Sequence, residues 1–193
     1  PDSASSFAVT VSSPPQTYVP DDNFEAYLET HDASGNVVGV GASNSMGDGI
    51  ANNDYVTTAN VIGVTRLDVP NQNIADLTGI EDFTALNYLQ CQRNQLTSLD
   101  VSQNTALMYL ECRDNPLSSI DVTQNTALTS LTCNNNQLTS IDVTQNTALT
   151  SLHCYENSLT SIDVTQNTAL TSLVCRDNPL SSIDVTQNTV LES

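Results

Sequence analysis

Leucine and cysteine recur with one fixed spacing through the second part of the chain. The leucines that begin the units lie 21 residues apart, at Leu86, Leu107, Leu128, Leu149, Leu170 and Leu191. The cysteines keep the same interval, at Cys91, Cys112, Cys133, Cys154 and Cys175. A constant period of this length is typical of a solenoid, in which each unit forms one coil and stacks on the next.

The repeats extend over residues 64–193. Five complete units of 21 residues occupy 86–190, and a truncated seventh unit begins at Leu191. The unit before them, 64–85, has 22 residues and is degenerate, although Leu67 and Ile74 keep its apolar frame. An atypical unit is expected beside a cap, because a terminal repeat has one repeat neighbour instead of two.

Within each unit we number repeat positions from the first leucine, taken as position 0. Apolar residues at positions 3 and 5, and again at 13 and 15, alternate with polar ones. This period of two predicts two strands per unit, each with one buried face. Asparagine at positions 8 and 18 is expected to bond backbone groups inside the coil. The predicted fold is a stack of coils, mostly strand and loop, with a parallel sheet and a continuous apolar core.

The unit can be written Leu-x-x-Leu-x-Cys-x-x-Asn-x-Leu-x-x-Ile-Asp-Val-x-x-Asn-x-x. It resembles the leucine-rich repeats, in particular the bacterial 21-residue class with Leu-x-x-Leu-x-Leu-x-x-Asn twice per unit. The second copy is Leu96, Leu99, Val101 and Asn104, which echoes Leu86, Leu89, Cys91 and Asn94. The resemblance, which extends to secreted and cell-surface proteins of the Bacteroidota, implies a leucine-rich-repeat solenoid with a partner-binding concave sheet, located outside the cell.

The first third of the chain is expected to form an extension or linker (1–19) and a small helical N-terminal cap (20–63). "DDNFEAYLETHD" predicts an amphipathic helix with a capping box between Asp22 and Glu25, and residues 54–62 predict a second helix. The intervening loop partly fits a calcium-binding EF-hand at Asn44 and Asp48, but Met46 stands where that motif requires a ligand. A cap loop without calcium is therefore the favoured interpretation.

The charge of the chain excludes several classes of protein. Four arginines, no lysine and 22 acidic residues give a net charge of −18, which argues against binding to nucleic acid or to anionic membrane surfaces. No apolar run approaches the roughly 20 residues of a membrane span. Because "VLES" ends the sequence without a cap, we expect the polypeptide to continue with further domains beyond Ser193.

The cysteines are expected to be core residues. Their odd number and identical repeat position do not form a disulfide framework, and a spacing of 21 residues is not that of a metal knuckle. Each cysteine occupies a position predicted to face inward, where a free thiol behaves as a small apolar group. We therefore expect neither metal nor redox chemistry from them.

Differences between the units concentrate at positions 2, 4, 6 and 7. Positions 2, 4 and 6 flank the buried leucine and cysteine, so their side chains are expected to form one surface, which we call the sheet face. Tyr and Arg, the residue types that dominate binding hot spots, are frequent there. The candidate ligand-binding residues are Tyr88, Gln90, Tyr109, Glu111, Arg113, His153, Tyr155 and Arg176, flanked at position 7 by Arg93, Asp114, Glu156 and Asp177.

The opposite side of the coil carries an aspartate at position 14 of every unit. We call this set the aspartate stripe: Asp100, Asp121, Asp142, Asp163 and Asp184. A solvated acidic surface is the favoured interpretation, because like charges about 5 Å apart in water repel one another only weakly. Calcium bridging at Asp121, Asp142 and Asp163 is an alternative, and the threonine columns also resemble flat ice-binding solenoids.

The sequence contains no motif of a known catalytic class. It has no nucleophile elbow and no phosphate-binding glycine loop, and its two histidines lie in different segments. We therefore predict a non-catalytic module, without a cofactor, that recognises a protein or another cell-surface ligand. The alternatives are a glycan-binding module, using Tyr88, Tyr109 and Tyr155 as stacking platforms, and a structural spacer.

Overall fold

The leucine at position 3 and its two neighbours form one three-residue strand in each coil. The computed structural model describes residues 13–192. In chain order its elements are β1 (Gln16–Tyr18), α1 (Asp22–Thr30), β2 (Tyr55–Thr57), α2 (Thr58–Val61), β3 (Arg66–Asp68), a 3-10 helix (Ile80–Asp82), β4 (Tyr88–Gln90), β5 (Tyr109–Glu111), β6 (Ser130–Thr132), β7 (Ser151–His153) and β8 (Ser172–Val174). Residues 1–12, which belong to the predicted extension, and Ser193 lie outside the described residues.

Strands β3 to β8 form a six-stranded parallel sheet in sequence order. Identical repeat positions face each other across neighbouring strands, so Leu89 pairs with Leu110 and Leu110 with Leu131. These leucines are fully buried. The degenerate unit supplies β3, whose Leu67 pairs with Leu89. The predicted parallel-sheet solenoid is confirmed.

The cysteines at position 5 form a second buried column beside these leucines. Cys91, Cys112, Cys133 and Cys154 are fully buried, Cys175 is partly exposed, and all are free thiols. Burial raises the pKa of Cys91 and of Cys154 to about 12, so these thiols stay protonated and unreactive at neutral pH. The interpretation of the cysteines as core residues is confirmed.

Asparagine side chains connect successive coils from inside. Asn115 at position 8 donates to the carbonyls of Cys91 and Cys112, both at 3.1 Å, and accepts from the Leu96 amide at 3.1 Å. Asn125 at position 18 donates to two carbonyls of the preceding coil, both at 2.9 Å. The predicted role of both columns is confirmed, because each unit repeats these bonds.

The second strand predicted for each unit is not formed. Among the described residues, the segments around the aspartate stripe form one isolated β-bridge, between Asp100 and Asp121. The cause is local: each aspartate of the stripe accepts a hydrogen bond from the amide two residues ahead, as Asp121 does from Thr123 at 2.9 Å. This bond turns the backbone and competes with a strand ladder. The alternation correctly predicts burial, with Val122 fully buried, but not the pairing.

The cap contacts the degenerate unit, where the Phe24 and Phe83 rings stack 6.2 Å apart, and it differs in detail from the prediction. The N-cap of α1 is Asp21 rather than Asp22, and its carboxylate accepts from the amides of Asn23 and Phe24. Glu25 does not close a capping box, because it accepts from the amides of Asn53 and Asp54. In the segment 54–62, β2 precedes a helix of only four residues.

β1 lies within the segment that the sequence indicates as an extension. It pairs antiparallel with β2, and Thr17 in its centre is buried and donates to Asp82 at 2.6 Å. Among residues 13–192, no helix is long and apolar enough to cross a lipid bilayer.

Candidate functional site: the sheet face

The register of the sheet aligns the predicted binding residues in columns. Tyr88 pairs with Tyr109, and Tyr109 with Ser130, at position 2; Glu111 pairs with Thr132 at position 4. Inter-coil hydrogen bonds continue past the strand ends, for example from the Cys91 amide to the Glu111 carbonyl at 2.8 Å. Positions 2, 4 and 6 are therefore carried on one continuous, regularly spaced backbone.

Two tyrosines stack at the cap end of position 2. The rings of Tyr88 and Tyr109 lie 4.3 Å apart at an angle of 4°. The guanidinium carbon of Arg66 lies 3.7 Å from the centre of the Tyr88 ring. Arg66 comes from β3 and Tyr109 from β5, so Tyr88 is enclosed between a cation and a second ring, a favourable arrangement for both.

Glu111 is the centre of a hydrogen-bonded cluster beside the stack. Its carboxylate accepts from Gln90 Nε2 and Tyr109 Oη, each at 2.8 Å, and from Arg113 Nε at 2.7 Å. Burial raises the pKa of Glu111, but the bonds from Arg113, Tyr109 and Gln90 outweigh it, and the net pKa is below 4.5. Burial and the bond to Glu111 raise the pKa of Tyr109. The cluster fixes the charge and position of its members.

Replacing Arg113 with asparagine, the residue at position 6 of the next coil, is expected to raise the pKa of Glu111. In the variant, burial still raises this pKa, and one of the hydrogen bonds that lower it is lost. In the parent the lowered pKa stabilises the fold above pH 4.5, the ordinary value, and that contribution disappears as the pH falls through the folded-state pKa. Carboxyl-carbon NMR titration measures the shift, and an unchanged midpoint in the variant contradicts the assigned cluster.

A second aromatic cluster lies toward the C-terminal end of the sheet face. The guanidinium carbon of Arg176 is 4.4 Å from the centre of the Tyr155 ring. The same guanidinium pairs with Glu156 at 3.6 Å and with Asp177. His153 lies nearby at position 4, with Nε2 3.4 Å from Ser172 Oγ. Between the two clusters, position 2 holds only serine.

The flanking residues at position 7 have a backbone role that the sequence did not predict. Their φ angles lie between 52° and 58°, in the left-handed region, for Arg93, Asp114, Asn135, Glu156 and Asp177. Asp114 also accepts from Arg113 Nη1 at 2.6 Å and from Arg93 Nε at 3.4 Å. These residues turn the chain at the edge of the sheet face and place charged side chains along its rim.

The sequence reasoning missed Arg66 and Asp68 in the degenerate unit. Both belong to the sheet face, because Arg66 pairs with Tyr88 and Asp68 with Gln90. Arg66 Nε also donates to Asp68 at 2.7 Å. Aligning Leu67 with Leu89 would have revealed these positions. With Arg66 included, all four arginines of the chain lie on the sheet face or its rim.

The charge of the chain is therefore unevenly distributed. The sheet face and rim hold four arginines and five acidic residues, Asp68, Glu111, Asp114, Glu156 and Asp177. Of the 22 acidic residues, the remaining 17 belong to the rest of the chain, which has no lysine or arginine. The sheet face is thus almost neutral within a strongly anionic protein.

The carboxylates of the aspartate stripe accept hydrogen bonds from residues that follow them in the chain. Asp121 Oδ1 accepts from both the amide and the hydroxyl of Thr123, at 2.9 and 2.7 Å, and Asp142 and Asp163 repeat this pattern. Bonds from the following threonine lower the pKa of each of these aspartates. A groove of about 630 Å³ lies on this side, bordered by Asp100 and Asp121.

Among the described residues, the carboxylates that approach one another in a group of three are those of Asp22, Glu25 and Asp54, in the cap. In the loop with partial EF-hand character, the amides of Asp48 and Gly49 point inward and donate to the buried Glu29 carboxylate. Calcium binding by the aspartate stripe stays a prediction.

No family model matches the chain. A 51-residue segment, 26% of the chain, is 49% identical to internalin J of Listeria monocytogenes serotype 4b (strain F2365), and the match spans 6% of that protein. A functional domain of the Listeria monocytogenes protein InlJ, described as including a cysteine ladder, is 29% identical with a TM-score of 0.43; the match covers 94% of this chain and 52% of that domain. The leucine-rich repeat domain of APL1B is 24% identical with a TM-score of 0.56, covering 64% of this chain and 39% of that one.

The single strand per coil, the parallel register and the likeness to the APL1B domain define the chain as a leucine-rich-repeat solenoid. Through the 51-residue match, the chain is related in sequence to a Listeria internalin. The chain spans about half the length of the internalin J domain and matches a small fraction of the full-length protein.

Proposed function

We propose that this chain is a non-catalytic recognition module that acts outside the cell, secreted or at the cell surface, and binds a protein ligand through its sheet face. The observation that carries the proposal is the concentration of all four arginines on one side of a uniform scaffold. Four half-buried side chains lie on the same side: Tyr88, Tyr109, His153 and Tyr155. That side is also where the copies differ, whereas the buried frame and the aspartate stripe repeat almost unchanged.

The distribution of charge favours a protein ligand. Interfaces between proteins are rich in tyrosine and arginine, and the sheet face with its rim holds all four arginines of the chain and three of its six tyrosines. The arginines are already held by Asp68, Glu111, Asp114, Glu156 and Asp177, so the face is pre-organised and loses little side-chain entropy on binding.

The arrangement of histidines supports a non-catalytic role. His31 is in the cap, where its ring stacks on Tyr27 at 3.8 Å. His153 is on the sheet face, next to Ser172 and Thr132. Neither hydrogen-bonds a cysteine within residues 13–192. Cys112 and Cys133 lie in the core with a pKa raised by burial, and burial also raises the pKa of the partly exposed Cys175. A nucleophile and a base held within hydrogen-bonding distance would be needed for covalent catalysis.

Glycan capture is the second candidate. Sugar rings stack on open aromatic faces, and Tyr88 has none to offer because Arg66 and Tyr109 lie against it. Within residues 13–192, Tyr109 stacks on Tyr88 alone and Tyr155 on Arg176 alone, so each ring keeps a second side for a sugar, which is the observation in favour of a glycan. A structural spacer would need neither the cluster of Tyr88 and Tyr109 nor the cluster of Tyr155 and Arg176.

The extracellular location rests on the resemblance of the repeats and on the internalin match. The sequence relative is a Listeria protein, and the similarity to Bacteroidota proteins stays a prediction from the residues. Fractionation of the cells that produce the chain, with immunodetection of the chain, measures the location. Recovery of the chain in the cytoplasm alone contradicts the proposal.

The experiment for function is a binding screen of the purified chain against panels of cell-surface proteins and of glycans. We expect saturable binding to members of the protein panel at physiological salt. Binding confined to the glycan panel replaces the leading proposal by the second one. Binding in neither panel favours the spacer.

A further inference from the structure

The column at position 2 changes from tyrosine to serine in the middle of the sheet face. Arg66, Tyr88 and Tyr109 stack in successive coils, and the next residue in register is Ser130. A serine side chain is too small to cover a phenol ring. Among the described residues, the ring and guanidinium contacts of this column end at Tyr109. The stack therefore ends in an open ring face above Ser130.

The open space matches a flat group. Neighbouring parallel strands lie about 4.8 Å apart, and the Tyr88 and Tyr109 rings are 4.3 Å apart. A planar group stacked on Tyr109 would therefore lie over Ser130, one coil further along. Ser151 continues the column with another small side chain. Position 2 of β6 and β7 therefore holds no large side chain that would block the aliphatic part of an incoming side chain. We call this space the Ser130 slot.

The chain itself shows which planar group suits such a slot. Twice on the sheet face, an arginine from one coil stacks on a tyrosine of the adjacent coil. Arg66 lies 3.7 Å from the Tyr88 ring, and Arg176 lies 4.4 Å from the Tyr155 ring. The Ser130 slot has the same tyrosine neighbour in the same register, but no arginine. The guanidinium group stacks on aromatic faces more readily than the compact, strongly hydrated ammonium group does.

The surrounding charge also selects a cation. Glu111 lies beside the slot, because its carboxylate accepts from Tyr109 Oη at 2.8 Å. The whole chain carries a net charge of −18, which attracts cationic groups and repels anionic ones. A neutral sugar gains nothing from this field, whereas a guanidinium gains from the field and from the ring. The Glu111 carboxylate itself adds little, because Arg113 Nε already donates to it at 2.7 Å.

We propose that the Ser130 slot binds an arginine side chain of a protein partner, stacked on Tyr109. This proposal rests on the proposed function and names the chemistry of the partner at the sheet face. The partner's arginine becomes the fourth member of the column, after Arg66, Tyr88 and Tyr109, so that a cation lies at each end of the two stacked rings.

The test uses three short peptides, acetyl-Gly-Arg-Gly-amide and its lysine and citrulline counterparts. Citrulline keeps the planar head group without the charge, and lysine keeps the charge without the plane. NMR titration of the chain follows the ring protons of Tyr109. We expect saturable shifts with the arginine peptide, and affinities roughly threefold to thirtyfold lower for the other two, the range of one cation–π contact. Equal binding of the arginine and lysine peptides overturns the stacking proposal.

Two substitutions of Ser130 test the slot, because one fills it and the other shifts it by one coil. Ser130→Arg places a guanidinium over Tyr109 from within the chain and is expected to weaken the arginine peptide at least tenfold. Ser130→Tyr extends the ring column by one coil and opens the same space above Ser151, so binding is retained. Gln124→Arg adds the same charge to an exposed position of the unit that carries Tyr109, on the aspartate-stripe side, and is expected to leave most of the affinity. Loss of binding in Ser130→Tyr but not in Ser130→Arg overturns the slot.

The same variants distinguish failure of the slot from failure of the proposed function. A protein partner from the screen that tolerates Ser130→Arg, but loses binding when other sheet-face residues are exchanged, refutes the slot and leaves the face intact. A partner that is indifferent to every sheet-face exchange refutes both. Competition by methyl glucoside with no effect of the arginine peptide overturns the slot in favour of a glycan.

Discussion

Replacing Asn146 with alanine is expected to lower the free energy of unfolding by about 2 kcal/mol. Asn146 is fully buried at position 18 of a central coil. Its Nδ2 group donates to the carbonyls of Val122 at 2.9 Å and Asn125 at 2.8 Å. The substitution removes both bonds, each worth about 0.5–1.5 kcal/mol, while the two carbonyls keep the bonds that they accept from the amides of Asn125 and Leu128, both at 3.0 Å.

Urea denaturation followed by circular dichroism measures the loss. The matched control is Gln145→Ala, the exposed neighbour in the same turn, which is expected to change stability by no more than about 0.5 kcal/mol. If the two variants have the same denaturation midpoint, the asparagine column does not hold the coils together.

The second large effect is expected from Gly47→Ala in the cap. A Cβ atom at Gly47 would lie 2.0 Å from a carboxylate oxygen of Glu29. That carboxylate is buried and accepts from the amides of Asp48 at 2.6 Å and Gly49 at 3.1 Å. The methyl group forces the carboxylate away from these donors, and we expect a loss of about 2–4 kcal/mol in cap stability.

Gly39→Ala is the control for this effect, because a Cβ atom at Gly39 meets nothing within 4 Å. A thermal melt of the two variants gives the comparison. The double variant Gly47→Ala with Glu29→Ala tests the cause, since removal of the carboxylate relieves the clash and the two effects should not add. Strict additivity would show that Gly47 acts independently of Glu29.

The sheet could be predicted from the sequence because its register depends on a strict repeat. Every coil repeats the same leucine and cysteine, so one unit specifies the packing of all the others. The absence of the second strand could not be predicted. The segment that alternates in burial also contains an aspartate that accepts a hydrogen bond from the amide two residues ahead, as Asp121 does from Thr123. Periodicity predicts which side chains are inside, and local hydrogen bonds decide whether a ladder forms.

The cap was less predictable because it depends on contacts that are distant in sequence. β1 is three residues long and is held by β2 and by the bond from Thr17 to Asp82, which lies 65 residues away. Asp21 became the N-cap although Asp22 follows it, because its carboxylate also accepts from the amides of Ala75 and Asp76. A sequence pattern contains no information on such pairs.

The columns of the sheet face could be read from the differences between copies, but the pairing of their side chains could not. Arg113 and Glu111 were predicted as separate ligand-binding residues, and the structure joins them at 2.7 Å. Arg66 was missed because its unit departs from the common pattern. Position 7 was assigned to the flank of the site, and its left-handed backbone shows that it also turns the chain.

Binding of partners through the sheet face can be tested with residues that another coil of the same chain supplies. Tyr109→Ser, Glu111→Thr and Arg113→Asn together give one coil the sheet-face residues of the next, Ser130, Thr132 and Asn134. Because these residues already fold in that setting, the exchange is expected to change thermal stability little. Adding Tyr155→Asn removes the second cluster in the same way. The control variant replaces Gln124, Gln145 and Gln166 with alanine on the aspartate-stripe side.

Affinity for the screened protein partner, measured by surface plasmon resonance for the two variants and the parent, is the most direct test. We expect the sheet-face variant to lose at least a hundredfold in affinity, about 2.7 kcal/mol, while the control variant binds as the parent does. Equal affinity of the sheet-face variant and the parent, or a loss confined to the control variant, would show that partners do not bind the sheet face.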